Sequence, residues 1–283
     1  MNDINIQTLT PTKVLLGWLT KEEGSLWLAG RDPSKITPEM TAKVELCRQI
    51  VSQRVEIMNS ENPFSEPPHE LSEFISEFWK QPDTEAFRNE NWEVKIVDLT
   101  KVRAAQPNVA FEQAKERTKS VEQGNIISIA NVSLPKAKET LIPISFDSSK
   151  NAWVVSSANP NLRICANFNA PIGPGITGLG FGIALSNSFL QVAECNGHFI
   201  LRDGYHRAIG LISNNVTKVP VLTKKFNTYN EMGMPVGLIT HEEIFGARPP
   251  FLLDYLNEDV TSIVNTPVYQ KTIVIQGLEL STT

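Results

Sequence analysis

Residues 191–223 read QVAECNGHFILRDGYHRAIGLISNNVTKVPVLT, and the order of elements in this stretch decides the fold. QVAE and HFILRD alternate apolar and polar side chains, the period of a strand with one buried face. Asn196-Gly197 between them is the strongest short hairpin signal, because both central residues of the tight turn must take positive φ. GYHRAIGLISNN then predicts a helix of about three turns, and KVPVLTK a further strand. The resulting order is strand, tight turn, strand, glycine turn, helix, strand.

A strand that ends in Asp203-Gly204 and turns directly into a helix exposes the first amide N–H groups of that helix, which lack intrahelical partners. Such amides, with the positive end of the helix dipole, attract anions. Gly204 permits positive φ and the close approach of a ligand. Arg207 carries a planar fork of donors suited to phosphate or carboxylate oxygens. His206 supplies a second donor or a proton carrier near neutral pH. Against this stand plainer roles: Asp203 as a cap, Arg207 paired with Glu194 or Asp203, and His206 as a surface helix residue.

Outward from this motif, residues 92–99 (WEVKIVDL) alternate like a strand, and residues 110–121 (AFEQAKERTKSV) read as a helix. NIISIANV, LIPISF and AWVVSSA are short β-rich runs, the last two joined by the hairpin loop DSSKN. Residues 171–182, PIGPGITGLGFG, contain the Gly173-x-Gly175-x-x-Gly178 spacing of a dinucleotide loop. Pro174 inside that spacing and the further glycines argue against a Rossmann turn. They leave a close-approach loop beside a site or a plain connection. Residues 1–60 read as helical, with Thr37 as N-cap and Pro38 at the first position of a helix through Met58. Residues 59–68 (NSENPFSEPP) form a linker or ordered loop, and HELSEFISEFWK is an amphipathic helix whose aromatic stripe suits a core. Thr240 with Glu243 predicts a capping box, and TIVIQGLEL closes the chain as a strand.

The chain has 283 residues, 41% hydrophobic and 20% charged, the composition of an ordinary globular protein. Its net charge of −5 would repel a nucleic-acid backbone. Lys218, Lys224 and Lys225 are the nearest basic group to the motif, and a solvated strand edge is the simpler reading of them. Cys47, Cys165 and Cys195 show no paired spacing, which suggests neither disulfides nor a thiolate zinc site. With no apolar run long enough for a membrane span and no leader-like start, the expected setting is cytoplasmic.

The strand, Gly-x-His-Arg helix and Val-Pro-Val strand of residues 191–223 resemble the ParB-like/sulfiredoxin-like superfamily. VKIVDLTKVRAAQPNVAFEQAKE looks like that family's opening strand, turn and first helix. The resemblance spans about residues 92–226, with an insertion at about 131–186. It implies an α+β fold with a mixed-sheet core at 91–226, to which the periodicity adds a helical N-terminal region at 1–90 and a helix-plus-strand extension at 227–283. It further implies a nucleotide or other phosphorylated ligand, ATP or CTP with Mg²⁺, held by Asp203, Gly204, Tyr205, His206 and Arg207, with Gln106 beside it. His206 and Glu194 are then the candidate catalytic pair, and Glu112 or Glu116 further candidate acids, which leaves hydrolysis and phosphoryl transfer open.

Departures from the family narrow this. Tyr205 stands where sulfiredoxins carry their reactive cysteine, which excludes sulfinic acid reduction. Ala105 and Gln106 occupy the turn where small-molecule kinases of the family place an acid. The acidic, proline-interrupted segment after residue 236 does not resemble a recognition helix. A DNA-associated factor or nuclease is one alternative. The other is an interaction scaffold, whose N-terminal aromatics, Trp18, Trp27, Phe74, Phe78 and Trp79, would cover a partner or a second copy.

Overall fold

The computed structural model describes residues 8–57, 60–136, 142–157, 159, 161–235, 237 and 239–277. The sequence readings for residues 1–7 and for the last residues of TIVIQGLEL lie outside the described residues. The chain divides into two compact units, residues 1–135 with 189–267, and residues 136–188 with 268–283.

The first unit opens with β1 (Leu9–Leu15), α1 (Lys21–Leu28), α2 (Pro38–Ser52), β2 (Phe64–Ser65), α3 (Ser72–Trp79) and α4 (Glu85–Asn89). It continues with β3 (Glu93–Asp98), β4 (Asn108–Ala110), α5 (Phe111–Thr118) and α6 (Ile126–Ser133). The second unit contributes β5 (Ile144–Asp147), β6 (Ala152–Ser157), β7 (Leu162–Gly173) and β8 (Ile176–Leu185). The chain re-enters the first unit with β9 (Gln191–Cys195), β10 (His198–Asp203), α7 (Tyr205–Ser213), β11 (Lys218–Phe226), α8 (His241–Phe245) and β12 (Thr261–Pro267). It returns to the second with β13 (Lys271–Gln276). The class is α+β.

The main sheet of the first unit has the order β10-β9-β11-β3-β2. β9 pairs antiparallel with β10 and parallel with β11, while β11 and β3 are antiparallel, so the sheet is mixed. Asn196 (φ 52°) and Gly197 (φ 74°) make the predicted tight turn between β9 and β10. Residues 102–105 run along the free edge of β10: the amide of Arg103 donates to Phe199 O at 2.8 Å, and that of Leu201 to Arg103 O at 3.0 Å. This edge contact brings the β3–β4 connection to the foot of α7.

Three sequence readings are corrected. The N-terminal region is not wholly helical, because β1 pairs with β12 on one side and β4 on the other. Its inward residues Thr12 and Val14 are buried, but its principal partner lies some 250 residues later, out of reach of any local pattern. NIISIANV is the helix α6, not a strand. Asn125 caps it by accepting the Ser128 amide at 3.0 Å, and Ile129, Ala130, Val132 and Ser133 are buried, so capping and packing override β-propensity. Finally, Trp18, Phe74 and Phe78 are interior residues of the first unit's core, not a surface awaiting a partner.

In the second unit, β5, β6 and β13 form an antiparallel sheet, and β7 and β8 a two-stranded ribbon. The glycine-rich stretch is the hairpin of that ribbon. Gly175 turns it at φ 71°, and the Phe168 ring lies over Gly180, where a Cβ would come within 2.0 Å of it. Packing beneath an aromatic ring accounts for this glycine, with no need for a phosphate loop.

Candidate functional site

Gly204 takes φ 96°, and a Cβ there would stand 3.0 Å from the Leu190 backbone, so the turn into α7 requires glycine for conformation and for space. Asp203 holds the turn, its Oδ1 accepting the Gly204 amide at 2.6 Å. The first intrahelical bond runs from the Ala208 amide to Gly204 O at 2.9 Å. The amides of Tyr205, His206 and Arg207 are therefore the orphan donors of the first turn.

The Tyr205 hydroxyl is taken up by the backbone. It accepts the amides of Ala105 (2.7 Å) and Gln106 (3.1 Å) and donates to Leu201 O (2.8 Å). Burial raises its pKa above the usual phenol value, so it stays neutral. It is a clamp that fixes the 105–106 turn against the start of α7. Gln106 is thereby brought close to the motif, but its side-chain amide donates to Asn108 O and its carbonyl accepts from Tyr255.

Arg207 is only 5% exposed, and one of its terminal nitrogens donates to Val132 O on α6 at 3.3 Å. Burial lowers its pKa to about 10 while Asp203 opposes the shift, so it remains a cation near neutrality. Burial raises the Asp203 pKa, with Arg207, Arg202 and Arg117 pulling the other way. His206 is pushed down to about 4 by burial and by the charges of Arg117 and Arg207, so it is a neutral imidazole near pH 7. It can donate or accept one hydrogen bond, but it is a poor general base.

The residue that the sequence reading missed is Arg117. It stands on α5, half-buried, within electrostatic reach of Asp203, His206 and Arg207. It makes no hydrogen bond or ion pair among the described residues. A signal was present: in FEQAKERTKS, Lys115 and Lys119 each follow a glutamate by three residues and pair with it, whereas Arg117 has Ala114 and Gln113 in those places. Helix periodicity shows that Arg117 lacks a local acid, and only the fold shows that it points to the foot of α7. Close packing makes this possible, since Gly210 lies directly against Ala114 O and Thr118.

Glu194 is not brought to this site. It pairs in register with Phe199, well along the hairpin from Asp203, and forms an ion pair with Lys225 at 2.9 Å. About four strand residues, roughly 13 Å, separate it from the turn. Glu112 and Glu116 point to solvent, bound to Lys115 and Lys119. Lys224 is tied to Glu90 at 3.1 Å, so with Lys225 two of the three strand-flanking lysines are neutralised.

Asp203 is the carboxylate at the turn, and one of its oxygens is taken by a backbone amide. Among the described residues no group of three or more His, Cys, Asp and Glu side chains could hold a metal ion. A Mg²⁺ ion here would have Asp203 as its protein carboxylate and would take its other ligands from water and a phosphate. Among the described residues, the guanidiniums of Arg117, Arg202 and Arg207 and a helix N-terminus surround the single carboxylate of Asp203, an arrangement that suits an anion.

The chain is thus an α+β protein with an excess of positive charge at a glycine-turned helix start. No helix among the described residues is long and apolar enough to cross a membrane. No protein-family model, curated protein or solved structure matches the chain.

Proposed function

We propose that the chain is a binding protein for a phosphate-bearing small molecule of the nucleotide class, seated at the N-terminus of α7. The observation that carries this reading is Arg117, a half-buried guanidinium with no protein partner among the described residues, beside the orphan amides of residues 205–207. A positive charge in that position is most stable when an anion completes it. Arg207 adds a second charge from beneath, and neutral His206 adds a hydrogen bond. The likeness of residues 191–223 to the ParB-like/sulfiredoxin-like turn supports a nucleotide over a simple anion. The reading is one of binding: Glu194 is remote and His206 is held neutral, so the candidate pair His206 and Glu194 does not meet at the turn.

A thermal-shift series with ATP, CTP, GTP, UTP, ADP and inorganic phosphate tests it. One nucleotide at about 100 times its dissociation constant stabilises the protein by roughly 2.7 kcal/mol. The Arg117→Ala protein, folded but lacking the half-buried charge, loses most of that shift. Equal shifts in both proteins would place the ligand elsewhere.

A further inference from the structure

The first unit holds a second chemically distinct cluster, built from Ser60 at the start of the 59–68 segment, the β3–β4 connection and the start of β10. Arg103 is fully buried, and among the described residues no carboxylate pairs with it. Its Nη1 donates to Ile244 O at 2.6 Å, its Nη2 to Ser60 Oγ at 3.2 Å, and its Nε has no partner. Ser60 Oγ also lies 3.0 Å from His198 Nδ1. Because Oγ accepts from Arg103, the hydroxyl proton is left to donate to His198. Burial and the Arg103 charge both push the His198 pKa below 6.5, so Nδ1 carries a free lone pair at neutral pH.

Ser60 opens on a cavity of about 500 Å³. Ile57, Phe251 and Leu253 supply its apolar wall, and the Arg54–Asp254 pair (2.8 Å) and Lys101–Glu61 pair (2.6 Å) its charged rim. That size and lining suit a small amphipathic molecule. A serine hydroxyl bonded to an unprotonated histidine, in a cavity wall, is the arrangement of an activated nucleophile.

We propose that Ser60 is a nucleophile, with His198 as its base, acting on a carboxylic ester of a small molecule whose acyl part rests on Ile57, Phe251 and Leu253. Ser60 Oγ bonds to the ester carbonyl carbon while its proton passes to His198 Nδ1. The carbon–oxygen bond to the leaving alcohol then breaks, and the alcohol takes the proton from His198. Water, deprotonated by His198, cleaves the acyl-serine to a carboxylic acid and restores Ser60. Arg103, which donates to Oγ, stabilises the negative charge on that oxygen as it loses its proton to His198 and again as it leaves the acyl carbon.

A fluorophosphonate probe tests this, since an activated serine displaces fluoride from its phosphorus. The intact protein should gain the mass of one phosphonyl group, mapped by peptide sequencing to Ser60. Ser60→Ala should gain none, and His198→Gln, which keeps the side chain's polarity without a base, should label at least about 100-fold more slowly. Melting curves establish that both variants are folded, and if Ser60→Ala is not, His198→Gln carries the test. An unlabelled native protein, an adduct on another residue, or an undiminished rate in His198→Gln would overturn the proposal.

Discussion

Tyr205 shows how far a side chain's role can lie from its place in a motif. In the sequence it sits between Gly204 and His206, among candidate phosphate contacts. In the structure its hydroxyl serves three backbone groups. Tyr205→Phe would leave the amides of Ala105 and Gln106 without their acceptor in a buried setting. A loss of about 2–4 kcal/mol in denaturant unfolding is expected. The anion site, which does not use the hydroxyl, should keep its ligand preference at temperatures where the variant is folded. Arg117 teaches the converse. Its lack of a local acid was legible in the spacing of Glu112, Lys115, Glu116 and Lys119, but its nearness to the charged groups of Asp203, His206 and Arg207 was not. Glu194 was chosen by nearness in sequence, and a strand carries neighbours in sequence away from one another at about 3.3 Å per residue.

At the scale of elements, legibility followed the range of the forces involved. The β9–β10 hairpin was readable because Asn196 and Gly197 encode their own positive φ angles. The helix α7 was readable because its apolar spacing, with Ala208, Ile209, Leu211 and Ile212 buried, is written in consecutive turns. The caps Thr37 and Thr240 act over three residues, and both accept the amides expected of them. β1 and α6 were misread because a strand partner at the far end of the chain settles one and tertiary burial the other. The α5–α7 contact that positions Arg117 depends on Gly210, where a Cβ would stand 2.4 Å from Ala114 O. Gly210→Ala should therefore cost about 1–3 kcal/mol despite alanine's better helix propensity, and should weaken anion binding by shifting Arg117. A variant as stable as the native protein in chemical denaturation would show that the two helices separate more easily than their packing indicates.

For the whole molecule, the sheet order and the division into two units come from pairings between segments distant in sequence, which composition and periodicity do not encode. Overall charge was legible and remains informative: the chain is acidic as a whole, yet the foot of α7 is locally cationic. Acid should expose this contrast. His206 titrates near 4 when folded against 6.5 for a free imidazole, so the unfolded chain binds the proton first as pH falls. The stability it contributes is complete above about pH 6.5 and is lost as pH falls toward 4, amounting to about 2–3 kcal/mol. Asp203, with its raised pKa, acts in the opposite sense and offsets part of the loss. Denaturant midpoints at pH 7 and pH 4.5 should differ in the native protein and differ less in His206→Gln.

On the proposed function, the α7 turn binds a phosphate-bearing anion through Arg117. Calorimetric titration of the nucleotide that gives the largest thermal shift, into the native protein and into Arg117→Gln, measures this most directly. One site per chain, with affinity falling about 10- to 100-fold in the variant, is the predicted result, the worth of a charged hydrogen bond to an anion. Equal affinity in the two proteins, or no heat of binding in the native one, would contradict it.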